Sequence, residues 1–241
     1  MNNVEKYQND SFLRHTLLFI YLFKHFFLDS LIVGALLSYI GGLFLLMSFC
    51  SPYWIESYDE SFSSFKNMGL WEYCFKDFIY PYYQFPRLFN GCHNIFSHVN
   101  TLNTILLTSN SIDTFQEYYV IREWLLPAWL MAVQTFVTLA FINTFAALGI
   151  MACEIIRYPL KTVLRYEWFL TTCSFIAVSV SSVFLFFGVL IFGINAYRRD
   201  WLLYPKFNII SWSYIFAVIA MFILGLAGLI LYKDAKNSYE R

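Results

Sequence analysis

Charged residues are scarce in this 241-residue sequence, of which only 13% is Asp, Glu, Lys or Arg. Soluble domains carry about 25% charged residues, so this chain has too few polar side chains to cover such a surface. Because 59% of the residues are hydrophobic, the composition predicts an integral membrane protein with membrane lipid as its surroundings. The formal net charge is zero, so no basic field indicates nucleic acid as a partner.

Motifs of catalysis and of metal binding are also lacking. The sequence has no Cys-x-x-Cys pair, which argues against a disulfide-forming oxidoreductase. It has no H-E-x-x-H, P-loop or G-x-S-x-G pattern either. His93 and His98 stand near each other in sequence, but a metal would need further ligands, so we interpret them as exposed loop side chains. We therefore expect no catalytic residue, no cofactor, no metal site and no enzymatic activity.

Four long runs contain no charged residue at all, namely 31–50, 124–153, 169–194 and 209–232. A helix needs about 20 apolar residues to cross about 30 Å of hydrocarbon, and it satisfies its own backbone groups in lipid. The runs therefore predict four transmembrane helices, with no buried charge to serve a proton relay or an ion-coupled transporter. Gln134 and Asn143 are the main polar side chains at depth. We expect them to make interhelical hydrogen bonds, with a ligand site as the alternative.

The first 30 residues are predicted to be a cytosolic segment. Their apolar stretch, 16–23, is eight residues long and is bracketed by Arg14 and Lys24. It is too short to span a bilayer, and basic groups at both ends suit lipid headgroups. We predict an interfacial helix within 12–28 that leads into the first span, and a fifth, irregular span is the alternative.

The distribution of Lys and Arg predicts the orientation. The segments 1–30, 154–168 and 233–241 together hold nine Lys and Arg residues, whereas 195–208 holds three. Short segments rich in Lys and Arg stay in the cytosol, so both termini are predicted to be cytosolic. The long connection 51–123 and the short connection 195–208 are then extracellular.

The connection 51–123 is the only piece outside the membrane that is long enough to fold by itself. Cys74 and Cys92 are the two of the five cysteines that lie in it, away from the spans. Because that compartment is oxidising, we expect them to form a disulfide. Aromatic residues and Ile alternate with Pro and Gly turn signals in its first half, which is typical of short strands. The predicted fold class is thus membrane all-α, a four-helix transmembrane bundle with a small extracellular antiparallel β-sheet.

The tryptophans and cysteines of this loop follow a known pattern. In the first outer loop of a four-span chain, they resemble the W–GLW–C–C signature of the claudin family, whose superfamily also includes the peripheral myelin, epithelial-membrane and calcium-channel gamma proteins. The residues that carry this resemblance are Trp54, Gly69, Leu70, Trp71, Cys74 and Cys92. Arg122, before the second span, fits the same pattern. The stretch "SWSYIFAVIA", with Trp212-Ser213-Tyr214, is similar to the start of the fourth helix in insect claudins of septate junctions.

The resemblance implies a function without catalysis. A claudin-like protein would assemble laterally in the plasma membrane, with its own copies or other claudin-like proteins in cis, and trans contacts are a further option. It would help to form or organise a paracellular barrier of the septate or tight type at lateral cell junctions. The alternative, from the gamma branch, is an auxiliary or trafficking subunit of a membrane channel or receptor.

Trp54 and Trp71 suggest how such a loop would work. Tryptophan rings favour the membrane interface, so they can seat the sheet on the helix bundle. The sheet would then be an outward interaction surface, and a sheet that only caps its own bundle is the alternative. Two features depart from the family pattern. Seventeen residues separate Cys74 from Cys92, more than is usual in claudins, and the chain ends "NSYER" rather than in the apolar residue that a PDZ groove accepts.

Overall fold

The structure is a computed structural model that describes residues 30–58, 64–78, 89–96, 125–156, 160–198, 201–202 and 207–240. Within these ranges, the side chains of 160–164, 238 and 240 are not described. The predicted interfacial helix within 12–28 lies outside the described residues, as do Arg122 and His98.

Four helices dominate the described chain: α1 (Ser30–Cys50), α2 (Ala128–Ile156), α3 (Leu160–Asn195) and α4 (Trp212–Glu240). Each contains a segment that is long and apolar enough to cross a membrane. In α3 this segment is Arg165–Asn195, and the backbone at Tyr166 departs from helical geometry (φ −117°, ψ 17°). The prediction of four spans is confirmed.

The helices form a ring in which α1 packs against α4 and α2, and α3 packs against α2 and α4. Small residues allow the close approaches. A Cβ on Gly34 would lie 2.7 Å from Leu231 Cδ2 of α4, and a Cβ on Gly42 would lie 2.9 Å from Leu148 Cδ1 of α2. Helices in lipid associate through such close packing, because no difference in hydrophobicity drives them together.

Helix ends differ from the predicted boundaries. At the start of α2, the backbone N–H groups of Leu130 and Met131 both donate to the carbonyl of Pro127, so the helix begins after this proline rather than at 124. At the other end of the bundle, α3 begins at Leu160 and α4 continues to Glu240. Most of the connection predicted at 154–168 and of the tail predicted at 233–241 is therefore helical.

Five antiparallel strands form one sheet at one end of the bundle, which we call the sheet end. They are β1 (Ile55–Ser57), β2 (Phe65–Met68), β3 (Glu72–Phe78), β4 (Phe89–Asn94) and β5 (Asn208–Ile210), in the order β4-β3-β2-β1-β5. The first four strands come from the connection between α1 and α2, as predicted. One face of the sheet is buried, through Ile55, Phe65, Met68, Tyr73 and Phe75.

Strand β5 was not predicted, because Ile209 was assigned to the fourth span. This assignment is wrong: Ile209 pairs with Glu56 of β1, Ile210 pairs with Ile55, and the helix begins only at Trp212. A short apolar run next to a long one carries no periodicity that separates strand from helix. As a result, the sheet joins the two connections that lie at the same end of the bundle.

Candidate functional site

Trp54 fastens the sheet to three helices. Its side chain is fully buried, and its indole Nε1 donates a 2.9 Å hydrogen bond to the carbonyl of Ser48 in α1. The ring lies edge-on to Phe192 of α3 and Tyr214 of α4, with centroid distances of 4.9 and 5.9 Å. Its backbone N–H donates to the carbonyl of Met68, at the end of β2. One residue therefore links the sheet to α1, α3 and α4.

Gly69 occupies a position that no other residue type fits. A Cβ there would lie 2.5 Å from the backbone oxygen of Ser51 and 2.6 Å from Cα of Pro52. Both are backbone atoms of the segment that leaves α1, so a side chain could be accommodated only by moving the chain. The N–H of Gly69 donates to the carbonyl of Glu72, which closes the turn between β2 and β3. This glycine lets the turn rest directly on the end of the first span.

Leu70 is fully buried, and its backbone carbonyl accepts a 2.6 Å hydrogen bond from Nε2 of Gln134 in α2. The prediction that Gln134 bonds to another helix is wrong, since its partner is the turn of the sheet. Asn143 also departs from that prediction, because its Nδ2 donates to the carbonyl of Leu139 in the same helix. The sequence alone does not predict the contact of Gln134, because its hydrogen-bond partner lies 64 residues earlier in the chain.

Trp71 fills the space between the end of α1 and the segment after β4. Its half-buried ring packs against Phe49 at 5.1 Å and Phe96 at 6.0 Å, and Phe49 stacks in turn on Phe141 of α2 at 4.5 Å. Its backbone carbonyl accepts a hydrogen bond from the N–H of Ile95. Trp71 therefore connects the part of the sheet formed by β3 and β4 to α1 and, through Phe49, to α2.

A disulfide joins Cys74 of β3 to Cys92 of β4, at positions directly opposite in the antiparallel register. Farther along the same strands, the side chains of Asp77 and Asn90 hydrogen-bond across the pair. The N–H of Asp77 donates to Asn90 Oδ1 at 2.6 Å, and Asn90 Nδ2 donates to Asp77 Oδ1 at 3.0 Å. The strand pair at this edge of the sheet is thus held by a covalent bond and by the Asp77–Asn90 pair.

Trp201 is a structural residue that the sequence reasoning missed. Its Nε1 donates to the carbonyl of Leu125 at 3.1 Å, and its ring lies edge-on to Trp129 of α2 at 4.6 Å. It is almost fully buried and ties the connection between α3 and α4 to the start of α2. A tryptophan close to the end of a span is a sequence signal for an interfacial anchor and would have singled it out.

An open groove of about 670 Å³ lies along β1 and β2. Its lining combines one acid, one base, two tyrosines and an isoleucine with smaller polar side chains: Tyr53, Glu56, Ser57, Tyr58, Lys66, Asn67 and Ile209. Tyrosine is enriched at protein–protein interfaces, whereas Lys, Glu and Ser are depleted there, so the lining of the groove is mixed in this respect. Among the residues that the structure describes, no three His, Cys, Asp or Glu side chains are grouped to hold a metal ion.

Comparison with known proteins matches these features to one family. The family model described as PMP-22/EMP/MP20/Claudin tight junction matches residues 39–233, a range that contains the whole sheet, all of α2 and α3, and most of α1 and α4. No curated protein sequence matches the chain. Because the matched range covers most of the 241 residues, the chain belongs to the PMP-22/EMP/MP20/claudin family.

Proposed function

We propose that this protein is a claudin-like cell-junction protein of the plasma membrane. It assembles laterally with copies of itself or with other claudin-like proteins and helps to form a paracellular barrier of the septate or tight type. It acts as a structural protein and carries out no reaction. The family supports this proposal, since it consists of structural membrane proteins and includes the claudins of tight junctions.

The observation that carries the proposal is the attachment of the sheet to the bundle. Trp54, the Gly69 turn and the hydrogen bond from Gln134 to Leu70 fix the sheet to the helices at three separate places. A surface that is already rigid loses less conformational entropy when it binds a partner. Such a sheet is suited to repeated contacts with neighbouring molecules, and the open groove beside β1 offers polar and aromatic groups for them.

We infer that the sheet faces the outside of the cell. Ser30 Oγ, at the start of α1, donates a 2.7 Å hydrogen bond to Asp234 Oδ1 near the end of α4, so both helix ends meet opposite the sheet. By sequence, the segments 1–30, 154–168 and 233–241 adjoin those helix ends and hold nine Lys and Arg against three in 195–208, which favours a cytosolic location. The disulfide at the other end suits an oxidising compartment.

Each motif residue has a proposed role within this scheme. Trp54, Gly69, Leu70 and Trp71 seat the sheet, and the Cys74–Cys92 disulfide keeps its outer strands paired. Arg122 lies outside the described residues and is retained as a motif residue only. The segment 1–30 stays a predicted cytosolic segment with an interfacial helix.

Expression in an epithelial cell sheet that lacks its own claudins tests the proposal. The expected result is a continuous ring of tagged protein at cell contacts and a reduced flux of small tracers across the sheet. A uniform distribution over the surface, with no effect on flux and with co-purification of a channel or receptor, would contradict it. That outcome would favour the auxiliary-subunit alternative.

A further inference from the structure

Asn90 and Gly91 follow each other in β4, at an exposed edge of the sheet. Asparagine is chemically labile, because the backbone nitrogen of the next residue can attack its side-chain carbonyl carbon. A side chain on that next residue hinders the attack, and glycine has none. Asn90 is the only asparagine of the sequence that precedes a glycine. The sequence therefore places its most reactive asparagine in β4.

The backbone around Asn90 departs from a regular strand pair. Phe75 pairs with Gly91 and Phe78 pairs with Phe89, so two residues of β3 stand opposite Asn90 alone. Such a bulge interrupts the ladder of hydrogen bonds. Gly91 has a φ of +95°, and a Cβ there would meet nothing within 4 Å. Asn90 therefore lies at an irregular, open point of the edge strand, where water has access.

The side chain of Asn90 is nevertheless held by Asp77. The backbone N–H of Asp77 donates to Asn90 Oδ1 at 2.6 Å, and Asn90 Nδ2 donates to Asp77 Oδ1 at 3.0 Å. Asp77 has a φ of 52°, a left-handed conformation that Asp and Asn adopt more readily than most side chains. Both hydrogen bonds run across to β3 and keep the carboxamide turned away from the Gly91 nitrogen. The attack of that nitrogen therefore requires the Asp77–Asn90 pair to open first.

We propose that Asn90 is a site of spontaneous deamidation, which the Asp77–Asn90 pair delays and which then prevents the pair from closing again. Once the pair has opened, the Gly91 nitrogen loses its proton to water and bonds to Cγ of Asn90. The side-chain nitrogen takes up a proton from water and leaves as ammonia. Water then opens the cyclic imide. The products are aspartate or isoaspartate at position 90 and ammonium, and water is the only co-reactant.

The product cannot restore the pair. A carboxylate oxygen replaces the Nδ2 donor, so Asp77 Oδ1 loses its hydrogen bond and faces a like charge across the strands. In isoaspartate, the main chain also gains one atom just before Gly91. The disulfide still joins Cys74 and Cys92, so the change is confined to the strand ends beyond it. Each molecule thus carries a record of its age at the sheet edge, whether or not the protein acts at junctions.

Mass spectrometry of the purified full-length protein tests the modification. The protein is kept folded in micelles at neutral pH, in water enriched in the heavy isotope of oxygen, which labels only the molecules that react during the incubation. Asn94 is the internal control, because it is exposed in the same strand but precedes Ile95, whose side chain hinders the attack. Label should accumulate at position 90 severalfold faster than at Asn94. Equal labelling of the two positions, or none at position 90, would overturn the proposal.

Two variants of Asp77 test whether the pair delays the reaction. Asp77→Ala should speed the labelling of position 90 about 3-fold to 10-fold, since loss of one hydrogen bond raises the population of the open form by about that factor. Asp77→Asn keeps an acceptor for Asn90 Nδ2 and suits the same backbone conformation, so it should react at nearly the unmodified rate. Unchanged or slower labelling with Asp77→Ala would contradict the role of the pair.

Hydrogen exchange tests the consequence for the sheet. Asn90→Asp imitates one product. Asn94→Asp is the matched control, because it adds the same charge to the same strand while a carboxylate oxygen can still accept from the N–H of Phe96. The amides of 76–78 and 89–91 should exchange severalfold faster in Asn90→Asp than in Asn94→Asp. Equal exchange in the two variants would show that deamidation leaves the strand ends closed, against the proposal.

Discussion

Gln134, in the second turn of α2, donates a 2.6 Å hydrogen bond to the backbone carbonyl of Leu70 in the turn between β2 and β3. Both residues are buried, so water cannot replace the hydrogen-bond partner of the Gln134 amide or of the Leu70 carbonyl. Burial raises the cost of losing such a bond, because the remaining partner is left unsatisfied. The bundle and the sheet are therefore joined by a polar contact as well as by ring packing.

Replacement of Gln134 by Leu should loosen the turn of the sheet. The buried carbonyl of Leu70 would lose its partner, at a cost of about 1–3 kcal/mol. Hydrogen exchange in micelles should show faster exchange at the amides of residues 69–73, with little change in α3. Thr135→Ala is the control, since the Thr135 hydroxyl donates to the carbonyl of Met131 in its own helix. Equal exchange in both variants would contradict the role assigned to Gln134.

Gly69→Ala should prevent the sheet from seating. The added Cβ would meet the backbone of Ser51 and Pro52 at 2.5 and 2.6 Å, and neither atom belongs to a flexible side chain. We expect the variant to be retained inside the cell, with surface biotinylation reduced severalfold. Gly149→Ala serves as the control because its Cβ meets nothing within 4 Å, and it should reach the surface normally. Normal delivery of Gly69→Ala would show that the turn tolerates displacement.

The disulfide should be found in protein taken from the cell surface. Peptide mapping without reduction should recover Cys74 and Cys92 as one linked pair, and Cys50 as a free thiol. Replacing both Cys74 and Cys92 by Ser should destabilise the outer strands by about 3 kcal/mol in the chain-entropy model. Cys50→Ser should change little. Recovery of both loop cysteines as thiols from folded surface protein would exclude the bond.

Both termini should be cytosolic. Four spans place the two ends on one side, and the excess of Lys and Arg in the short segments assigns that side to the cytosol. An antibody should therefore reach a tag at either terminus only after the plasma membrane is permeabilised. Labelling of intact cells at one end alone would require an odd number of spans and would favour a fifth span within residues 12–28.

The sequence predicted the elements that depend on local pattern. Uncharged apolar runs identified the four spans, and the position of Cys74 and Cys92 outside them identified the disulfide. Contacts between segments that are distant in the chain were not predicted. Three such contacts join residues that are far apart in the chain: the pairing of Ile209 with Glu56, the hydrogen bond from Gln134 to Leu70, and that from Trp201 to Leu125. Such contacts follow from how helices and strands pack together, and a local pattern carries no record of that packing.

If the protein works through a sheet held firmly on its helices, replacing the tryptophans that hold the sheet should impair its function. Truncating a packed tryptophan costs about 3–5 kcal/mol, much of the stability available to a small domain. Trp54→Ala and Trp71→Ala should still insert, because insertion depends on the hydrophobicity of the spans. Trp168→Ala is the matched control, since Trp168 is 47% exposed and packs against Tyr239 of α4, away from the sheet.

The most direct measurement is tracer flux across a cell sheet that lacks its own claudins, with each variant compared at equal surface density. We predict that the unmodified protein and Trp168→Ala gather at cell contacts and reduce the flux. Trp54→Ala should lose both effects, and Trp71→Ala, which is only half-buried, should lose a large part of them. An intact barrier and normal contact enrichment with Trp54→Ala would contradict the account.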